Sequence, residues 1–271
     1  MLLMNIFIRY AATSAACVVI ATVVTNANAT SIAGHRAFYE MRMGTIDDNA
    51  PVQSVSGRSA FVLEKECSGW RSAEDYMIEF GSAEGRVDRI LSHFESWESA
   101  NGDQYSFDIA EKSSFQEDKD FGGYAELKAD GGAATFLLEP DDSVVLPENT
   151  YFPMQHVRTI IEMAGDGEKI LSASVFTGAE PDDALMTTNT IIGGWRGVES
   201  EIDLGALDVD GFWPVQVAYF KPTATAVEPE YEIQFWLQPN GVVRQYEIDY
   251  GDFSIIAQLV NIETIDAPQC Q

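Results

Sequence analysis

"EYEIQFWLQPNGVVRQYEIDYGDFSIIAQLVNIETI", residues 230–265, is the stretch that decides the fold. Tyr231, Ile233, Phe235 and Leu237 recur at every second position, which places them on one face of a strand. Asn240-Gly241 follows, the pair that best tolerates the positive φ angles of a tight hairpin. Val242, Arg244, Tyr246, Ile248 and Tyr250 form the next alternating set, and Phe253–Ile262 a third strand. The reading is a three-strand antiparallel meander.

The same period runs upstream. Ala37, Tyr39, Met41 and Met43 share a face in "HRAFYEMRM", as do Val55, Phe61 and Leu63 in "SVSGRSAFVLE". Tyr76, Ile78 and Phe80 oppose Asp75 and Glu79, and Tyr105, Phe107 and Ile109 alternate with polar neighbours. "GYAELKADGGAATFLL" predicts a hairpin turning at Asp130-Gly131-Gly132. Further strands are expected in "ASVFTG", "TTNTIIGGW" and "FWPVQVAYFKP", with a loop at Gly178–Asp183. One helix interrupts the pattern. Pro153 suits its first turn, Val157, Ile160, Ile161 and Ala164 recur at helical spacing, and Gly165 and Gly167 close it. Strands that are polar on one face argue against an α/β core, whose strands would be continuously apolar. The expected fold is all-β and mainly antiparallel: a large curled sheet with one helix laid against it.

The first residues read as a leader. Arg9 supplies a positive n-region, Ala11–Thr25 is small and apolar, and Ala27-Asn28-Ala29 is an A-x-A cleavage site. The apolar run is shorter than the ~20 residues a membrane-spanning helix needs. A signal peptide over residues 1–29 and one mature domain over 30–271 are therefore expected, in a chain without a transmembrane segment. Cleavage removes Cys17 and leaves Cys67 and Cys270, an even number in an exported chain. A bridge between them is expected; two unpaired buried thiols are the alternative. Both lie in polar surroundings, "EKECSGW" and "DAPQCQ", where an unpaired core thiol would not hide. Their spacing is unlike the C-x-x-C of thiol-exchange sites.

The formal net charge is -27, spread along the chain as a solvated carboxylate surface. Nucleic acid and anionic lipid head groups are disfavoured as partners. No H-E-x-x-H, G-x-S-x-G, P-loop or dinucleotide fingerprint occurs, so no catalytic residues and no cofactor are expected. His35, His93 and His156 read as structural, His156 at the boundary of the helix's apolar face. "DVDG", Asp208–Gly211, has the flavour of a calcium loop but lacks its remaining ligands, so no metal site is expected. Trp70, Trp97, Trp195, Trp213 and Trp236, with many Tyr and Phe residues, are expected to fill the inside of the curled sheet. Alternatively they line a groove for an acyl chain or an extended peptide.

The order and spacing of "HRAFYEM", "CSGW", "LPENTYFPMQH", "GDGEKILSASVFTG", "WPVQVAYF", "NGVVRQYEIDYGDFSI" and the terminal cysteine resemble the EipB-like cell-envelope integrity proteins. The resemblance spans about His35 to Cys270. It implies a periplasmic monomer in which strands wind into a β-spiral of two half-barrels sharing one helix, with a disulfide on Cys67 and Cys270. It implies a contribution to envelope integrity and stress resistance, made with other envelope proteins and without catalysis. The alternative is a carrier or binding module for a lipid, a lipoprotein acyl group or an extended peptide.

Overall fold

The computed structural model describes residues 31–48, 50–138, 142–197, 202–222 and 228–270. The signal peptide expected over residues 1–29 lies outside them. Eight strands follow one another as an antiparallel meander. They are β1 (His35–Ile46), β2 (Val52–Lys65), β3 (Gly69–Ser82), β4 (Val87–Ser99), β5 (Gln104–Ser113), β6 (Lys119–Lys128), β7 (Gly131–Phe136) and β8 (Asp142–Leu146). A two-residue strand, β9 (Thr150–Tyr151), leads into the helix α1 (Pro153–Asp166). Then come β10 (Ile170–Phe176), β11 (Leu185–Ile192), the short β12 (Arg196–Gly197), β13 (Gly211–Phe220), β14 (Tyr231–Leu237), β15 (Val243–Asp249) and β16 (Phe253–Thr264).

The strands form one sheet in the order β8-β7-β6-β5-β4-β3-β2-β1-β16-β15-β14-β13-β11-β10-β9, with β12 paired to β13 off this path. The first and last strands therefore meet at the sheet's middle, where β1 pairs antiparallel with β16. The middle of the chain supplies both rims. β8 and β9 stand at opposite edges but are joined by Pro147–Asn149, so the ribbon curls until its edges approach one another. Asn149, at φ 60°, is the one non-glycine with positive φ among the described residues, and Asn tolerates that region better than most. Thr150 Oγ1 donates to the Pro147 carbonyl across this turn at 2.8 Å.

The helix divides the interior into two half-barrels. On one side, Tyr105, Phe107, Phe121, Phe136, Phe152 and Phe176 form a solid aromatic core. Phe176, fully buried, has its ring centroid within 5.9–6.3 Å of four other rings, those of Tyr105, Phe107, Phe136 and Phe152. Beyond the helix, Ile160, Ile161 and Ala164 pack on Ile192, Val215, Val217 and Leu237. Met154 meets Leu63 and Trp70. The helix begins at Pro153 and ends at Gly167, whose left-handed φ of 83° lets its N–H reach back to the Ala164 carbonyl.

Most strand readings hold, and three details differ. The β6–β7 turn is Ala129-Asp130, with Gly131 already paired to Lys128, one step earlier than the glycines suggest. The β14–β15 hairpin carries a bulge: Phe235 faces Tyr246 and Leu237 faces Val243, so one strand advances three residues while the other advances two. This separates Arg244 from Tyr246, with which simple alternation had grouped it. Val243 and Tyr246 turn inward, whereas Arg244 reaches Asp208 at 3.1 Å. Finally, the tryptophans divide: Trp70 is buried against Leu63 and Met154 and Trp213 packs on the core beyond the helix, but none lines the hollow half. Trp195 is 47% exposed and packs edge-on against Trp213, Trp236 stacks on Phe212, and Trp97 donates to Glu66.

Cys67, in the β2–β3 turn, is bonded to Cys270, with Cα atoms 5.5 Å apart. The bridge joins the residues beyond β16 to the opening strands. No helix among the described residues is long and apolar enough to cross a membrane.

Candidate ligand-binding cavity

The second half-barrel is hollow. Strands β1–β4, β13–β16 and the first turns of α1 enclose a cavity of about 470 Å³, within the ~300–1,000 Å³ range of small-molecule sites. Its apolar wall includes Met41, Phe61, Ile78, Phe80, Ile233 and Phe235. Tyr250, 45% exposed, lies where the cavity meets the surface, while His35, Gly241 and His156 line it as well. A second, more open concavity of about 1180 Å³ lies beside it, where charged residues such as Arg58, Glu79, Lys112 and Asp120 alternate with apolar ones such as Phe38, Met77 and Leu91.

Strand register builds a polar row across the curled sheet. Tyr39 of β1 stands opposite Ser59 of β2, which faces Tyr76 of β3, then Ser92 of β4, Glu111 of β5 and Lys119 of β6. Tyr39 donates to the Val243 carbonyl at 2.8 Å and Tyr76 to Glu111 Oε2 at 3.1 Å. Lys119 lies 3.7 Å from Glu111 and 2.7 Å from Glu180. Burial pushes the Tyr39, Tyr76 and Tyr246 hydroxyls above the ordinary phenol value, so all three remain protonated.

Three carboxyl groups on successive strands share this inward face, each is treated differently, and of the three Glu74 alone lines the cavity. Glu98 of β4 accepts the backbone N–H groups of Met154 and Gln155, both at 2.8 Å. It does the work of a side-chain cap that Phe152, at the N-cap position, cannot do. Burial raises its pKa to about 7 against the opposing pull of those two amides. Glu111 has Lys119 and Tyr76. Glu74 of β3 has neither amides nor a cation. The Tyr246 hydroxyl donates to it at a long 3.5 Å, and no ion pair among the described residues includes it. Burial raises its pKa, only partly countered by the neighbouring Ser59 and Tyr246 hydroxyls.

The histidines are placed as follows. His35 is buried, with Nδ1 2.8 Å from the Ala33 carbonyl and a pKa lowered by desolvation. His93 is surface-exposed beside Asp75. His156 was expected at the helix boundary, yet only 4% of it is exposed and its Nε2 has no hydrogen-bond partner. The bend of the sheet over α1 covers a position that helical spacing alone leaves at the edge. Desolvation lowers its pKa to about 4, so the ring is neutral. Asp208 of "DVDG" binds Arg244, and no group of three metal-ligating side chains is assembled among the described residues. Glu74 shares the parity of Tyr76 in the sequence, a signal that pointed inward, but its isolation from cations needed the register of five strands.

A sequence model of the EipB-like family matches residues 26–266. The chain is 27% identical to the cell envelope integrity protein EipB of Brucella abortus (strain 2308), over 89% of this chain and 87% of that one. Its fold is similar to the crystal structure of a β-barrel-like protein, of a domain of unknown function, from Brucella abortus. The TM-score is 0.80 at 24% identity, covering 88% of this chain and 100% of that one.

Proposed function

Because the chain belongs to the EipB-like family, we propose that it supports the integrity of the cell envelope from the periplasm, acting by binding and not by catalysis. Residues 1–29 direct export and are removed in this reading, and the mature chain works as an acidic, disulfide-closed monomer. The relative named for cell envelope integrity supports the envelope role. The hollow half-barrel is the observation that favours binding: a domain needing only mechanical stability gains from filling such a space, as the aromatic half does.

The inward groups also suit binding better than turnover. Glu98 is occupied as a helix cap, His156 is held neutral without a base or acid partner, and the buried tyrosines stay protonated. Partners are sought among other envelope proteins, with an apolar molecule in the cavity.

The test is a host strain lacking the gene, challenged with detergent and with cell-wall antibiotics. Survival is expected to fall and to return when the secreted form, but not a leaderless form, is supplied. Survival equal to the parent under every envelope stress overturns the proposal. Steady turnover of peptidoglycan, lipid or peptide by the purified protein overturns its non-enzymatic part.

A further inference from the structure

We propose that the hollow half-barrel receives the ammonium group of a cationic amphiphile, with Glu74 as its counter-ion and the rings of Tyr39, Tyr76 and Tyr246 around it. The inference rests on reading the half-barrel as a binding site and adds the chemistry of the ligand. Of the carboxyl groups that approach the interior, Glu98 is satisfied by helix amides and Glu111 by Lys119. Glu74 is left with the neutral hydroxyls of Ser59 and Tyr246, the latter at a long 3.5 Å, and no cation. An unpaired carboxyl in an apolar cavity is unfavourable when ionised and takes up either a proton or a cation.

Aromatic rings beside a carboxylate are the recurring recognition device for ammonium groups, because the ring face is negative. The Tyr39 and Tyr246 rings stand edge to face with centroids 5.3 Å apart. Tyr76 lies two residues along β3 from Glu74, on the same face. His156 adds an uncharged nitrogen without a partner in the same cavity.

The rest of the cavity asks for hydrocarbon. Ile78, Phe80, Ile90, Ile248 and Ile255 continue from the carboxyl toward Tyr250 at the surface. A chain attached to the ammonium therefore has apolar contact along that path. The net charge of -27 selects in the same direction, drawing cations toward the protein and repelling fatty-acid or sulfate head groups.

Calorimetric titration of the full mature chain with decyltrimethylammonium, below its critical micelle concentration and in physiological salt, tests this. Decyl maltoside, decyl sulfate and chain-free tetramethylammonium serve as comparisons. The cationic amphiphile is expected to bind one to one, at least tenfold more tightly than any of the three. Glu74→Gln is expected to weaken it tenfold or more while leaving decyl maltoside unaffected. Tyr246→Leu, which keeps the carboxyl and removes a ring, is expected to weaken it three- to tenfold, so the proposal stays testable if one variant fails to fold. Equal binding of cationic, neutral and anionic amphiphiles, insensitive to Glu74→Gln, overturns the ammonium assignment and leaves a general apolar site. Absence of binding by every amphiphile overturns both the assignment and the binding reading beneath it.

Discussion

Met154 donates its backbone N–H to Oε2 of Glu98 over 2.8 Å, so a strand residue 56 positions upstream caps the helix. The contact locks α1 to β4 and fixes where the helix crosses between the two half-barrels. A carboxylate at a helix N-terminus is favoured by the helix dipole, but here burial outweighs that and raises the pKa to about 7.

The sign of the resulting pH dependence is set by proton counting. Between the ordinary value of 4.5 and about 7 the folded chain holds a proton on Glu98 that the unfolded chain has released. This group's contribution therefore falls as pH rises through that window, by about 3 kcal/mol in all. Glu98→Gln is expected to remove that slope and to lower stability at pH 4.5 by weakening the cap. Urea unfolding of both proteins at pH 4.5 to 7.5 measures it. Parallel stability profiles would show that Glu98 does not titrate as stated.

His156, two residues further along the helix, works in the opposite direction. Its folded pKa of about 4 lies below the ordinary 6.5, so below pH 6.5 only the unfolded chain gains a proton. Its contribution is fully present above pH 6.5 and is lost as pH falls toward 4, by about 3 kcal/mol. His156→Met is expected to be less sensitive to acid over that range. An NMR titration that finds the imidazole protonating near 6.5 in the folded protein would contradict the buried, neutral ring.

Phe176→Ala in the solid half is expected to cost about 3–5 kcal/mol, because four rings close around that side chain and cannot collapse into the space. Ile233→Phe in the hollow half is expected to change stability by less than about 1 kcal/mol, since the added atoms enter existing space. Thermal unfolding of the two variants compares the halves directly. A similar loss in both would mean that the cavity has no room for a side chain, let alone a ligand.

The bridge between Cys67 and Cys270 spans 203 residues. Chain-entropy reasoning assigns such a closure roughly 5 kcal/mol, although measured effects are often smaller. Cys270→Ser is expected to lower Tm by roughly 5–15 °C and to raise hydrogen exchange in β16 and β1. Peptide mapping without reductant is expected to recover the Cys67–Cys270 pair. An unchanged Tm would leave the bridge without a stabilising role.

The strands were legible because their alternation is local: Tyr231 to Leu237, and Tyr105 to Ile109, reveal a face without any knowledge of the partner strand. The helix was legible for the same reason, from Pro153, its apolar spacing and Gly167. The cavity was not. Tyr39, Glu74, Val217 and Tyr246 come from four strands and share its wall only through register and the curl of the sheet. Nothing in "SAEDYM" says that Glu74 lacks a cation once Lys119 has gone to Glu111 and Glu180. Ring size placed Trp70 and Trp213 correctly in the packed interior but not Trp195, and the cavity wall itself is built largely from Phe, Tyr and Ile.

The pairing of β1 with β16 governs the order of events when the chain is made. Thr264 is the partner of His35, so the first strand to appear waits bare-edged until nearly the last residue arrives. The meander β1–β8 can pair strand by strand as it is made, but its β1 edge waits for β16 to join it to the other half at the midline. Pairing between strands so far apart in sequence closes slowly. A copy cut short before Phe253 has lost its keel and not its rim, since β16 is the strand that joins β1 to β15.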